Sequence, residues 1–299
     1  MQAWAIINPQ AGTATDVQTV IDGLGRLGIT TVKTTSSPGD AKRLAHEAVA
    51  DGCELVVAAG GDGTINEVVN GLATDFAQAR LGIIPLGTGN DFVRSVNIPT
   101  ERNAALKVLD EARAMAIDVV SVTSDERRYF INVSAGGFSG LVDEKLTAEM
   151  KRAWGPLAYL RSAAMALPDL TDYHTYLTFD DEEQQEVKTY NIVVANARFV
   201  AGGIPIAPQA ELDDGLFDVM IVPAASLSQL ALVAPKIMLG QHVDDERLLF
   251  RRARKLRVDS QPKMWFNADG ELVGNEPSTF ELLPRALNVI VGPEKPAEA

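Results

Sequence analysis

Four carboxylate positions and two glycine turns carry the chemistry this chain can offer. Asp62 lies in Gly60-Gly61-Asp62-Gly63-Thr64-Ile65-Asn66-Glu67, directly after the apolar run Val56-Val57-Ala58-Ala59. Asp91 closes Pro85-Leu86-Gly87-Thr88-Gly89-Asn90-Asp91, directly after Ile84. Glycines let backbone N–H groups approach an anion closely, and a helix N-terminus adds unpaired donors and a favourable dipole. Both turns therefore suit a phosphate or pyrophosphate. A carboxylate beside bound phosphate needs a cation between them, which points to a magnesium nucleotide rather than a bare anion cradle. The plainer alternative for residues 60–63 is a tight strand-to-helix turn with an incidental Asp.

Asp118 opens a predicted strand, and Asp269 stands with Glu271 in Phe266-Asn267-Ala268-Asp269-Gly270-Glu271, a predicted turn between β segments. Phosphoryl transfer needs one group to orient and deprotonate the attacking hydroxyl and others to hold metal-bound phosphates. Asp and Glu without His or Cys suit Mg²⁺, which takes oxygen ligands and keeps several waters. Taken singly, Asp118 and Asp269 read equally well as turn residues. Arg94, just past the second glycine turn, is either a charge-assisted donor to phosphate or a surface residue.

The elements that must position these groups change character along the chain. Strands are expected over 3–8, 29–34, 54–59 and 81–85, with helices over 16–27, 40–51 and 65–72. A further helix over 100–115, N-capped by Thr100, has an apolar face of Ala104, Leu106, Val108, Leu109 and Ala112. Alternating strands and helices imply a parallel sheet covered on both faces, with ligands beyond the carboxyl ends of the strands. Both glycine turns fall there. From about Ile117 the pattern becomes short strands: 118–123, 129–133, 175–179, 189–195, 217–223, 254–258, 265–267, 279–283 and 287–291. Their alternation fits a β-sandwich, broken by helical insertions over 140–167 and 226–239. The acidic run 180–186 reads as a solvated hairpin turn, and 293–299 as a frayed tail.

Composition narrows the function classes. With 46% hydrophobic and 22% charged residues in 299, this is the make-up of an ordinary globular protein of one or two domains. The net charge of −13, from 40 acidic and 27 basic residues, argues against a nucleic-acid binder. It also disfavours tight adhesion to an anionic membrane, unless a local basic patch supplies it. The apolar stretch 223–235 is shorter than the ~18 residues that cross a bilayer. Strand-like Ala3-Trp4-Ala5-Ile6-Ile7 leaves no expected signal peptide. Cys53 is the single cysteine, compatible with a reducing compartment and best suited to a core. His46, His174 and His242 match no zinc spacing.

Residues 60–67 and 85–94 resemble the two signature motifs of the diacylglycerol kinase catalytic domain, and Asn8-Pro9-Gln10-Ala11-Gly12 resembles its first phosphate-contacting loop. The motifs at 130–138, 202–208, 212–219 and 269–271 follow in family order, so the likeness to the soluble bacterial lipid kinases covers nearly the whole chain. It implies an α/β nucleotide-binding domain over 1–120 and a β-sandwich lipid-binding domain over 121–299, whose last strands could return to the first, with the active site between the two. It implies that Asn8, Pro9, Gln10, Ala11, Gly12, Thr35, Gly60, Gly61, Asp62, Gly63, Thr64, Ile65, Asn66 and Thr88 surround ATP. It further implies that Asp62, Asp91, Asp118 and Asp269 form an acidic network around catalytic Mg²⁺. The resemblance implies that the proton acceptor comes from Asp269-Gly270-Glu271, with Glu271 preferred, Asp269 close behind and the choice between them open. A second, structural Mg²⁺ is implied at Glu211, Asp214 and Leu216, where a simple Asp-Gly hairpin is the alternative.

The resemblance therefore implies a cytoplasmic, membrane-visiting kinase that moves the γ-phosphoryl group of ATP to a lipid hydroxyl, diacylglycerol first. Phosphatidylglycerol, sphingoid bases and other lipid alcohols stay open as acceptors, and so does a homodimer. The basic and aromatic segment 151–161 combines Lys151, Arg152, Trp154, Tyr159 and Arg161, a make-up that suits a bilayer interface or a helix packed on the sandwich. NAD kinase shares a Gly-Gly-Asp-Gly turn, but the second glycine motif and Asp213-Asp214-Gly215-Leu216 fit the lipid kinases better. The rival outside enzymology is a nucleotide- or lipid-binding regulator, although every acidic residue expected of a kinase is present.

Overall fold

A computed structural model describes residues 2–12, 17–137, 170–275 and 277–293. The predicted helix over 140–167 and the basic-aromatic segment 151–161 lie outside the described residues. The fold is mixed α/β, with a parallel-sheet N-terminal domain and a β-rich C-terminal one. By contacts the chain divides into two units. One comprises Met1–Val119 with Pro284–Ala299, and the other Val120–Leu283.

In the first unit, β1 (Ala3–Ile7), β2 (Thr31–Thr34), β3 (Leu55–Gly60) and β4 (Arg80–Pro85) form a parallel sheet in the order β2-β1-β3-β4. Every residue of β3 is buried, as expected of a strand covered on both faces. The crossovers are α1 (Val17–Arg26), α2 (Asp40–Ala50) and α3 (Asp62–Leu72), followed after β4 by α4 (Asp91–Ser95) and α5 (Arg102–Glu111). Ile7 pairs with Ala59 and Gly60 with Pro85, so the three central strands end on one edge.

Two boundaries differ from expectation for local reasons. The third helix starts at Asp62 rather than Ile65, because extended Gly61 is its N-cap and the glycine turn already coils. The fifth is shorter than 100–115: Glu101, not Thr100, caps it by accepting from the N–H groups of Asn103 and Ala104. Ala112 then turns left-handed at φ 50°, and Val291 N–H claims the carbonyl of Arg113, so β5 (Ala114–Thr123) begins early.

The second unit is antiparallel. The end of β5 pairs with β6 (Arg127–Phe130), and the unit continues through β7 (Val133–Gly137), β8 (Tyr173–Phe179) and β9 (Gln185–Ala195). A short ribbon of β10 (Phe199–Val200) and β11 (Ile204–Pro205) precedes β12 (Phe217–Pro223), α6 (Leu227–Leu239) and β13 (Leu249–Ala253). Then come β14 (Lys255–Gln261), β15 (Phe266–Ala268), β16 (Glu271–Gly274) and the first half of β17 (Ser278–Ile290), whose residues from Pro284 belong to the first unit and pair in parallel with β4. The long β9 is the spine, pairing with β7 and β8 and also with β12. Its alternating side chains feed two cores: Ile192 and Val194 enter one with Phe217, Phe266 and Phe280, while Val193 and Ala195 enter another with Met220 and Val233. The strands expected over 279–283 and 287–291 are one strand, kinked where Arg285 takes φ 48°.

Candidate functional site

In the first unit three strand ends bring three turns together. Asn8 follows β1; its N–H donates to the carbonyl of Ala59 (2.9 Å), and its Nδ2 donates to the Thr64 hydroxyl (3.1 Å). Its Oδ1 accepts from Gln10 N–H (2.9 Å), which folds Pro9 and Gln10 into a turn open to solvent. Thr35, after β2, donates its N–H to Ile7 O (2.9 Å) and so sits beside the end of β1. Small residues set the approach of the turns. A Cβ on Gly12 would lie 2.8 Å from Thr88 Cγ2, and one on Gly87 would lie 2.5 Å from Gly61 Cα. A side chain at Gly87 would meet backbone and push its turn away from Gly61, whereas one at Gly12 would force the Thr88 side chain to shift. The structure thus brings Asn8, Gly12, Thr35, Gly60, Gly61, Thr64 and Thr88 to one edge of the sheet. Gly63 is exposed there, whereas the side chains of Ile65 and Asn66 are buried, and Asn70 Nδ2 donates to Asn66 Oδ1 (3.2 Å).

Asp62 and Asp91 face each other across the third turn. Asp62 Oδ1 accepts from the N–H groups of Asp91 (2.9 Å) and Phe92 (3.4 Å). Its Oδ2 and Asp91 Oδ2 lie 2.9 and 3.5 Å from where a Cβ on Gly89 would stand, so two carboxylate oxygens flank one small space. Burial pushes the Asp62 carboxyl above its usual range, against the lowering effect of those backbone N–H donors. Arg94 turns back into the same turn, its Nη1 donating to Gly89 O (3.3 Å) and Asn90 O (3.4 Å) and lying 3.5 Å from Asp91 Oδ1. Sequence reasoning passed over Asn90. It is buried and left-handed at φ 51°, its Nδ2 donates to Gly87 O (2.7 Å), and its Oδ1 is a buried acceptor with no hydrogen-bond partner. The available signal was an Asn placed next to Gly, where a turn needs positive φ. Asp118 is fully buried, and its Oδ1 accepts from Arg285 N–H (2.7 Å), holding the kink of β17.

In the second unit Asp269 and Gly270 form a two-residue hairpin between Ala268 and Glu271, both at positive φ (48° and 87°), which an Asp-Gly pair accommodates. Asp269 Oδ2 accepts from Ile131 N–H (3.2 Å), and Oδ1 accepts from Asn132 (3.2 Å) and Val133 (2.9 Å). Both oxygens of Asp269 thus bind a nest of successive backbone donors. The Glu271 side chain is 52% exposed, and its Oε2 lies 4.0 Å from Arg128 Nη1. One residue of the triplet builds the turn, and the other leaves its carboxylate accessible.

In the loop carrying Glu211, Asp214 and Leu216, one carboxylate meets the partly exposed side chain of Arg252. Asp214 Oδ1 accepts from Leu216 N–H (3.0 Å), while its Oδ2 meets the Arg252 guanidinium, whose Nε lies 3.8 Å from Asp218 Oδ1. Glu211 is exposed. Burial, aided by the charge of Glu211, pushes the Asp218 carboxyl up to about 6. Among the described residues no three His, Cys, Asp or Glu side chains gather as a metal cluster would require. The Asp62–Asp91 pair still fits Mg²⁺, which takes few protein carboxylates and completes its shell with water and phosphate. At Asp214 the positive charge already comes from Arg252.

Comparison with known proteins agrees across the whole length. Residues 2–122 match the diacylglycerol kinase catalytic domain family, and residues 132–291 match the family described as the YegS C-terminal NAD kinase beta sandwich-like domain. The chain is 36% identical to a diacylglycerol kinase of Bacillus subtilis over 89% of its own length and 87% of the relative's. It is 33% identical to one from Staphylococcus saprophyticus over 96% and 94%. A crystal structure of a putative diacylglycerol kinase from Bacillus anthracis superposes with TM-score 0.82 at 25% identity, covering 98% of this chain and 95% of that one. An NAD kinase from Archaeoglobus fulgidus in complex with ATP has TM-score 0.54 at 15% identity over 97% and 93%, a likeness of fold alone.

Proposed function

Because this chain belongs to the diacylglycerol kinase family, kinases acting on a lipid alcohol, we propose that it transfers the γ-phosphoryl group of ATP to the hydroxyl of diacylglycerol. The observation that carries this reading is the convergence of three turns at Gly12–Thr88 and Gly61–Gly87 beside the facing carboxylates of Asp62 and Asp91. The N-terminus of α3 has no side-chain cap, so its donors are available to phosphate, with Asn8, Gly12, Gly60, Thr64 and Thr88 around them. Asp62 and Asp91 would hold Mg²⁺, and the buried Asn90 Oδ1 adds an acceptor. Held there, Mg²⁺ would supply positive charge against the phosphates. Asp118 works by fixing the backbone at Arg285.

Glu271 takes the hydroxyl proton, and Asp269 shapes the turn that presents it. Support comes from their surroundings, three backbone donors on Asp269 and an exposed side chain on Glu271. The lipid oxygen forms a bond to the γ-phosphorus, the bond from that phosphorus to the β–γ bridging oxygen breaks, and ADP leaves. A structural metal at Glu211, Asp214 and Leu216 would compete with Arg252 for the Asp214 carboxylate. The acceptor would be met at a lipid surface; no helix among the described residues is long and apolar enough to cross a membrane.

The test is Mg-dependent transfer of label from ATP to a lipid panel in mixed micelles, with NAD as a counter-acceptor and Asp62→Ala as blank. Label in diacylglycerol alone is expected. Label in NAD, or in no acceptor at all, overturns the reading.

A further inference from the structure

Helix α6 turns an apolar face to solvent. It is well formed: Ser226 and Gln229 make a capping box, and left-handed Gly240 ends it. Its inward side is Val233, with Ile237 packed on the core that holds Met220 and Leu248. The opposite side carries Ala231, Leu232, Pro235 and Leu239, all exposed and spaced so that they share one stripe. Leu232 is 62% and Leu239 68% exposed, and Leu227 at the first turn is 55% exposed. An ordinary surface helix places charge on that stripe. Here, between Asp218 and Asp244, Lys236 is the only charged residue, in a chain with 40 acidic residues. Lys236 itself binds buried Asp245 at 2.7 Å. A helix that is apolar on both sides and free of acid in a chain of net charge −13 has an unfinished surface.

The geometry points to a lipid bilayer as the occupant: the Leu232–Leu239 stripe lies in the interfacial layer and docks the kinase on the surface that carries its acceptor. This rests on the lipid-kinase reading. The stripe has no acidic group to be repelled by anionic headgroups. At 13 residues, or about 20 Å, the helix is too short to span a bilayer but long enough to lie along one. With one face held by the core, the outward leucines alone would enter the acyl boundary.

Co-sedimentation with vesicles of equal parts phosphatidylcholine and phosphatidylglycerol tests the surface directly. Wild type is expected to sediment, and a variant combining Leu232→Glu and Leu239→Glu with unchanged melting should partition at least about tenfold less. Transfer to diacylglycerol embedded in the vesicles should fall with it, while transfer to a monomeric short-chain diacylglycerol should not. If wild type stays in solution, or the variant sediments equally, the docking surface is overturned whatever the turnover. A variant that loses a dimer in sedimentation velocity yet still binds vesicles also overturns it, assigning the stripe to a second copy. If vesicle binding depends on the leucines but neither acceptor is phosphorylated, the surface stands and the kinase reading fails. Should the charged variant not fold, Leu232→Trp decides: a blue shift in its added emission on vesicles supports the surface, and an unchanged spectrum overturns it.

Discussion

Gly61-Asp62-Gly63 and Ala268-Asp269-Gly270 are nearly the same three-residue string, and the molecule uses them in opposite ways. Asp62 opens a helix, accepts two N–H groups on one oxygen and directs the other toward Gly89 and Asp91. Asp269 occupies a left-handed hairpin and commits both oxygens to three N–H groups of residues 131–133. The first carboxylate is held under cover at a cost, since burial raises its pKa. The second strengthens its own turn, and the accessible carboxylate passes to Glu271. What an Asp beside glycine does is decided by which backbone donors the fold aims at it.

The largest effect that can break this contrast is expected at Glu271. Glu271→Ala should lower turnover by about 10²–10⁴-fold, the usual worth of a general base, with melting unchanged. Asp62→Asn comes next, with a turnover loss of about 10²–10³-fold expected if charge is lost at the proposed phosphate site. Its stability should move the other way. A carboxyl whose folded pKa is raised binds protons more tightly in the folded state, so its ionisation costs stability as pH rises above 3.8. Asp62→Asn should therefore melt higher than wild type at neutral pH, an advantage that vanishes well below pH 3.8. Equal melting at both pH values would contradict the buried-charge account.

Gly89→Ala sharpens the site further, because it puts a methyl 2.9 Å from Asp62 Oδ2. Such overpacking costs about 1–3 kcal/mol. Expressed in binding, that is about a 5- to 150-fold rise in the KM for Mg·ATP. The smallest effect belongs to Glu67, which stands in the signature motif yet only caps α2, its two oxygens accepting from Gly39 and Ala41 N–H. Glu67→Ala should cost about 1 kcal/mol of stability by denaturant titration and leave kcat unchanged.

The parallel half of the fold was readable because β3 is apolar throughout and each crossover carries its own helical period. The two glycine turns were readable because Gly and Asp at strand ends have few other uses. Where reading failed, the deciding group was distant in sequence. Beyond left-handed Ala112, which ends α5, Val291 N–H holds the carbonyl of Arg113 at the entry to β5, and the kink that joins two expected strands into β17 depends on Asp118, 167 residues away from Arg285. The engagement of Asp214 by Arg252, 38 residues on, is likewise invisible to spacing. The roles of Asp269 and Glu271 stayed open in sequence because no local rule says that residues 131–133 would present their N–H groups to one carboxylate and not the other.

The most direct measurement compares Asp269→Ala with Glu271→Ala, following melting and labelled phosphate transfer from ATP to diacylglycerol on the same samples. Asp269→Ala leaves buried donors without an acceptor and should lose at least about 2 kcal/mol of stability while the folded fraction still turns over. Glu271→Ala should melt like wild type and transfer almost nothing. The reverse pattern, with a stable but inactive Asp269→Ala and an active Glu271→Ala, would contradict the division of labour between the two carboxylates.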